Sequence, residues 1–405
     1  MLTFLEARTL ILASTTPLGT ERVPLFAALN RVTATNLTAP ADLPPLDNSA
    51  MDGFAVRTDD CIPGTALRIT GYLPAGGELG VTVSPGTTVR IMTGAPIPPG
   101  ADAVIPWEEC TESAGTITPQ TEVKCGQHIR WHGEDVAGGS TVVAAGTVIR
   151  PSQVSMLASC GQVLIPVYRI PRVAILSTGD ELVELGQPAG PGQIINSNSL
   201  TLAAAVAACG AEPVLLGIAR DTREDHRAKL AEGLSCDALI TSAGVSAGDR
   251  DLVREVLAEL GVQQQFWKIL IKPGHPTAFG TFGTKPVFSL PGNPVSSLVT
   301  FEMFAKPALL RLMGNPRPVS PTINAILRDD VKKKPGRVHF LRVRLMAAAD
   351  GTVFASTAGD QNTGILTTLL HADGLGILPA DETKFAAGSS IDVHVINPDY
   401  AMSAG

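Results

Sequence analysis

Apolar and polar positions follow two textures along this chain. Leu2 to Ala13 carries apolar residues at helical spacing, with Glu6 and Arg8 set among them, and Pro24 to Asn30 reads as a second short helix opened by a permitted first-turn proline. After a stiff connector around Pro40, Pro44 and Pro45 the pattern shortens. Up to about Gly139, brief runs such as Thr88 to Met92 and Ala103 to Ile105 are separated by PGT, GAPIPPGAD and ESAGT turn clusters, the mark of a small β domain. Arg150 to Gly161 then reads as a helix between Pro151 and Gly161, expected to pack back on the first two helices and so make the β region an insertion.

From Arg172 to Gly314 apolar strands alternate with helices. RVAILSTGDEL, EPVLLGIARD and DALITS are strand-like, Asn198 to Cys209, Arg223 to Leu234 and Val295 to Leu312 have helical patterning, and further strands are expected around Phe266 to Ile271 and at Val287 to Leu290. This alternation predicts a parallel sheet covered on both faces. Val338 to Leu345, Thr352 to Ala355 and Ile391 to Val395 predict a small β domain at the end. The expected divisions are 1–45 with 140–168 as a discontinuous N-terminal region, 46–139 as an inserted β domain, 169–315 as an α/β domain and 316–405 as the last domain.

Asp237 to Leu260 organises the rest: a short apolar strand, a loop of small residues, then Leu252, Val253, Val256, Leu257 and Leu260 at helical spacing. Asp249 is expected to cap that helix, and Ser242, Gly244, Ser246 and Gly248 are small enough for a ligand to approach the backbone at the helix's positive end, which suits an anion. Acidic residues in a first turn also stabilise a helix that binds nothing, so both readings stand on the loop alone.

Composition narrows the partners. The 405 residues carry a formal charge of −7 with no long basic run, which argues against nucleic acid and requires local cations wherever an anion is bound. Cysteines at 61, 110, 125, 160, 209 and 236 form no close metal-ligand pair and suit a reducing compartment. No run of about 18 apolar residues is present, so the expectation is a cytoplasmic enzyme without a membrane span. Neither a Walker A sequence nor GxGxxG occurs.

Polar turns fall at the ends of the expected strands: Asp180 and Glu181, Asp221, Asp249 and Asp251, with Lys268 and Lys272 flanking another strand. Four apart, the two lysines would point to one face if both lay on that strand. Carboxylates gathered on such a rim suit Mg²⁺, and lysines suit oxyanions; each carboxylate singly also fits a solvated turn. PGNP at Pro291 to Pro294 reads either as a capped first turn or as backbone N–H groups aimed at a ligand. His128 and His132 lie in a turn-rich context that argues against a shared metal.

Taken together, PPLDNSAMDGFAVR, RIMTGAPIPPGADAVIPWEE, IRWHGEDV, ILSTGDEL, GQIINSNS, TSAGVSAGDRD, FWKILIKPGHPTAFG and SLPGNPVSS, in that order, resemble the molybdopterin molybdenumtransferase family, the MoeA-like proteins related to the E domain of gephyrin. The resemblance implies a multidomain α/β fold. Its parts are a central three-layer α/β molybdopterin-binding domain, a discontinuous N-terminal α+β region, an inserted small β domain and a C-terminal β-barrel. It implies a homodimer whose active site lies between one subunit's α/β domain and the other's insertion. The implied reaction is Mg²⁺-dependent and converts adenylyl-molybdopterin and molybdate to molybdenum cofactor and AMP, with a pterin-adenylating enzyme of the same pathway as a partner.

Carried over by motif, the catalytic positions are Asp52, Asp135, Glu181, Asp221, Asp251, Lys268 and Lys272, with Glu181, Asp221 and Asp251 as the metal set. Substrate positions are Thr93, Arg130, Ser242, Gly244, Ser246, Gly248, Pro291, Gly292, Asn293, Pro294 and, in the last domain, Arg342. The chain departs from the family pattern at Ala243, where Gly is usual, at His275, where Lys is common, and at QNTG and LTTL in Gln361 to Leu369. A tungsten-dedicated relative and a non-catalytic pterin-binding scaffold are the alternatives; the retained carboxylates speak against the second.

Overall fold

The computed structural model describes residues 1–78, 80–243 and 252–402. They divide into two units, one made of Met1–Arg22, Asn30–Ala34 and the chain from Pro166 onward, the other of Val23–Leu29 and Thr35–Ile165. No helix among the described residues is long and apolar enough to cross a membrane.

In the first unit, α1 (Phe4–Ala13) begins where Thr3 and Glu6 form a capping box: the Glu6 N–H donates to Thr3 Oγ1 at 3.3 Å and the Thr3 N–H donates to Glu6 Oε2 at 2.8 Å. The central sheet contains β1 (Arg172–Thr178), β2 (Glu212–Ala219), β3 (Ala238–Ser242), β4 (Gln263–Phe266), β5 (Ala278–Phe282) and β6 (Lys285–Leu290), in the order β2-β1-β3-β6-β5-β4. The neighbours β2, β1, β3 and β6 run parallel, as the alternation predicts. At the other edge the expectation is corrected, because β5 is antiparallel to both β6 and β4. Its hairpin with β6 turns in two residues, with Gly283 at φ 58°, and so short a link can join only antiparallel strands.

Both sheet faces are buried. Along β1, Val173 and Ile175 enter a core shared with α1, whereas Ala174 and Leu176 enter the core on the opposite face. The covering helices are α2 (Ser197–Ala208), α3 (Arg223–Gly233), α4 (Leu252–Glu259), α5 (Pro294–Thr300) and α6 (Lys306–Leu312), the last two joined by a π-helical turn at Phe301–Ala305.

The same unit ends in a closed barrel of β7 (Ile323–Leu327), β8 (Val338–Ala347), β9 (Val353–Thr357), β10 (Gly374–Leu378) and β11 (Ser390–Val395). Closure comes from the pairing of β8 with both β9 and β10, which removes the free edges. Leu341, Val343 and Leu345 of β8 fill the barrel interior. Phe340, on the alternate face, meets Phe4 edge-on at 5.1 Å between ring centroids, and Phe4 meets Phe304 at 5.6 Å.

The second unit carries a six-stranded sheet in the order Ala103–Pro106, Gly53–Val56, Thr87–Ile91, Leu67–Leu73, Thr116–Pro119, Cys110–Ser113. The expected helix over Pro24 to Asn30 is not formed: Thr20–Pro24 is extended and only Leu25–Ala28 makes a 3₁₀ turn. So short a segment forms too few intrahelical bonds to offset nucleation. The helix Pro151–Ser159 packs on that turn, while α1 belongs to the other unit.

Candidate functional site

Register brings the ends of the parallel strands to one lip. Thr178 pairs with Ala219, Ser177 with Ser242, and Ser242 with Leu290, so Gly179–Glu181, Arg220–Asp221, Ala243 and Pro291–Pro294 all leave the sheet at its carboxyl edge. A cleft of about 150 Å³ opens there, walled by Ser177, Glu181, Asn196, Asn198, Ser242 and Gly292 among others.

Neither asparagine is among the candidates that the sequence points to, although both lie in GQIINSNS. Asn196 caps α2: its Oδ1 accepts from the Ser199 N–H at 3.3 Å and from Ser177 Oγ at 2.9 Å. Asn198 Nδ2 donates to Ser242 Oγ at 2.8 Å and to the Gly292 carbonyl at 2.7 Å, tying the tips of β3 and β6 to the start of α2. A polar pair immediately before an apolar helical run was the available signal.

Glu181 and Asp221 are exposed on adjacent strand ends. The Asp221 N–H donates to Asp180 Oδ1 at 3.3 Å, and Arg220 Nη1 donates to the Leu182 carbonyl at 3.1 Å, which pins the two turns together. A side chain on Gly179, at φ 136°, would place Cβ 2.2 Å from Glu181 Oε2, so glycine leaves room for that carboxylate. No group of three or more His, Cys, Asp or Glu placed to hold a metal occurs among the described residues. Asp251, the third member of the expected set, lies outside them, as do Gly244, Ser246, Gly248 and Asp249. The two remaining carboxylates still fit Mg²⁺, which takes one or two carboxylates together with waters and phosphate oxygens. The expectation of no G-x-S-x-G nucleophile elbow is corrected in spelling, since GVSAG at Gly244 to Gly248 has that form; the turn that would make it an elbow lies outside the described residues.

The expected strand around Phe266 to Ile271 is interrupted, and with it the common face for the lysines. β4 stops at Phe266, Lys268 follows it at the lip, and Ile271–Lys272 pairs instead with Val338 and His339 of the barrel. The partner is distant in sequence: the Leu270 N–H donates to the Leu2 carbonyl, and the chain leaves the central sheet there. Neither lysine forms an ion pair among the described residues. His275 turns inward, its Nδ1 at 2.6 Å from the Ile269 carbonyl, which makes Nδ1 the protonated nitrogen.

Arg342 is 1% exposed, and its Nη2 donates to the carbonyls of Asp360 at 3.1 Å and Asn362 at 3.2 Å, while its Nε has no partner. Burial lowers its pKa, partly offset by the nearby Asp360 carboxylate. Asn293, expected to cap its helix, makes no side-chain cap bond. Its Nδ2 donates to Thr363 Oγ1 at 3.1 Å and so fastens PGNP to the Gln361–Gly364 turn. His339 is buried with Nδ1 unpartnered; burial first, and then the charges of Lys272, Lys333 and Arg342, push its pKa down to about 4.

In the second unit Asp52 Oδ1 accepts from the Thr93 N–H at 2.7 Å and from Thr93 Oγ1 at 2.8 Å, and these bonds hold its pKa below the ordinary carboxylate range. Arg130 lies on a strand paired with Asn48–Ser49, and the Gly94 N–H donates to the Ser49 carbonyl, which brings Asp52, Thr93 and Arg130 to one edge. The Asp135 N–H donates to the Leu43 carbonyl at 3.1 Å. His132 Nε2 meets Asp42 Oδ2 at 2.9 Å, and His128 adopts φ 56°.

With this geometry in hand, the relatives are informative. Residues 2–161 match the MoeA N-terminal region (domain I and II), 174–311 a probable molybdopterin binding domain, and 324–396 the MoeA C-terminal region (domain IV). The chain is 37% identical over 401 residues to a molybdopterin molybdenumtransferase of Haemophilus influenzae, covering 98% of this chain and 99% of that one. It is 38% identical over 382 residues to molybdopterin molybdenumtransferase 2 of Mycobacterium tuberculosis, covering 92% and 94%. The crystal structure of the molybdopterin biosynthesis MoeA protein of Pyrococcus horikoshii superposes with a TM-score of 0.84 at 30% identity, covering 98% of this chain and 99% of that one. Family models along nearly the whole length, full-length relatives well above 30% identity and a shared fold lead to one conclusion: the chain belongs to the MoeA family.

Proposed function

We infer that this protein is a molybdopterin molybdenumtransferase that inserts molybdenum during cofactor biosynthesis, using adenylyl-molybdopterin and molybdate and releasing AMP. The observation that carries the reading is the lip itself, where carboxylates of two strand ends, a cleft with buried amides and the PGNP turn fastened to the barrel all converge.

Glu181 and Asp221, with Asp251 carried over by motif, would hold Mg²⁺, which when bound neutralises charge on the pyrophosphate link. Lys268 and Lys272 supply the local cations that a chain of charge −7 needs in order to hold an oxyanion, and the buried Arg342 adds its charge to the field they set up. Ser242 and Pro291–Pro294 position the pterin end, so most of the acceleration comes from orientation and charge neutralisation. The active species is a homodimer in which Asp52, Thr93, Arg130 and Asp135 of one copy complete the site of the other.

Two variants test this. Asp221→Asn is expected to keep pterin binding while AMP release falls at least a hundred-fold, and release at the native rate would overturn the carboxylate assignment. Lys272→Ala is expected to raise the molybdate concentration for half-maximal activity about ten-fold or more, with tungstate run alongside in the same assay.

A further inference from the structure

The cleft holds two amides whose orientations are set by backbone groups. Asn196 Oδ1 must face the Ser199 N–H, and Asn198 Nδ2 must face the Gly292 carbonyl, so neither side chain can be turned over without opposing like to like. What remains is one buried donor without a partner, Asn196 Nδ2, and one buried acceptor without a partner, Asn198 Oδ1. Asn196 is only 2% exposed, and both residues line the cleft. Ser177 and Ser242, which bond Asn196 and Asn198, are register partners on adjacent strands, so the free donor and the free acceptor belong to one wall of the cleft. Buried polar atoms are seldom left unsatisfied, and a donor together with an acceptor is complementary to neither a bare anion nor a cation.

We propose that Asn196 and Asn198 together read the edge of a flat heterocycle that presents an acceptor next to a donor, and thereby fix which way round the substrate lies along the lip. This rests on the function inferred above and adds the subsite that recognises a ring. Two rings of that substrate carry such an edge: the lactam side of the pterin, with C=O beside N–H, and the six-membered ring of adenine, with a ring nitrogen beside its amino group. A site that hydrogen-bonds an edge rejects a ring of the same shape lacking it, because the buried amides are then left unpaired.

The clean variant is Asn196→Asp, which keeps the acceptor facing Ser177 and Ser199 but turns the free donor into an acceptor. Equilibrium binding of 6-carboxypterin and of AMP is measured on the full-length native and variant proteins, with melting temperature as the check on folding. A second arm needs no variant: 3-methyl-6-carboxypterin and N6,N6-dimethyl-AMP keep the ring shapes and the rest of each probe without the donor at that edge. The expected result is a ten-fold or greater loss for one probe in Asn196→Asp, at unchanged melting temperature, matched by a similar loss for that probe's methylated form on the native protein. Loss confined to 6-carboxypterin places the pterin here, and loss confined to AMP places adenine. A variant that binds both probes as the native chain does, a native chain that binds neither, or methylated rings that bind equally well overturn the proposal. If the native chain nonetheless releases AMP when supplied with adenylyl-molybdopterin and molybdate, the function inferred above stands while the subsite is lost; absence of that turnover sinks the function itself.

Discussion

Ala243 adopts φ 76°, in a region where an L side chain is strained and glycine is not. It stands at the turn leaving β3, with a Cβ that would lie 3.1 Å from one built on Gly292, so the two tips approach closely. Ala243→Gly is therefore expected to raise the unfolding free energy by ~0.5–1 kcal/mol in urea titrations. His339 works through protonation. Its folded pKa of about 4 lies below the ordinary 6.5, so between those values the unfolded chain binds more protons. Its contribution is present above pH 6.5 and is lost as pH falls towards 4, by up to about 3 kcal/mol if the shift is fully expressed. His339→Gln should flatten stability against pH in that window, read from urea midpoints at pH 7 and 4.5; an unchanged slope would refute the assignment. Single residues such as these were invisible in the one-letter code. Nothing in HFLRVRL marks a histidine placed among Lys272, Lys333 and Arg342.

Elements were more legible, for a physical reason. Helices α2, α3 and α6 announce themselves through local spacing and end signals, and the observed bounds Ser197–Ala208 and Arg223–Gly233 lie within a residue of the expected ones. Strands at an edge are decided by partners far away in sequence. Thus nothing local marks β5, and the apolar run Phe266 to Ile271 has the pattern of one strand although it splits between two sheets. The long helix from Pro294 hides another such feature. Its π turn carries Glu302, largely buried, with Lys306 Nζ at 2.8 Å and His394 Nε2 at 3.3 Å. Burial would raise its pKa, but these two partners outweigh burial and hold it low. In the second unit, Gly53 lies where any Cβ would come within 1.9 Å of the Ile105 carbonyl. Gly53→Ala should part the Gly53–Val56 and Ala103–Pro106 strands and cost about 2–3 kcal/mol or more, seen as a lower melting temperature.

At the scale of the molecule, the candidate residues fall in two groups, Asp52, Thr93, Arg130 and Asp135 in one unit and Glu181, Asp221, Lys268, Lys272 and Arg342 in the other. If a homodimer shares its sites as proposed, an Arg130→Ala protein and an Asp221→Asn protein, each inactive alone, should regain up to about a quarter of native activity when unfolded together and refolded. Statistical mixing makes half of the dimers mixed, with one intact site in each. No recovery, with mixed dimers demonstrated by differential tagging, would place both groups in one chain's own site. By itself the sequence determined the βα alternation, the small β regions, the carboxylates at strand ends and the family, because these depend on local periodicity and on motifs contiguous in the chain. Only the tertiary structure decided that Lys272 joins the barrel, that Asn293 fastens PGNP to Thr363 rather than capping a helix, and that Asn196 and Asn198 each leave one polar atom unpaired. Those outcomes depend on which groups meet across long stretches of chain and on what burial withholds from water, and neither is written in neighbouring letters.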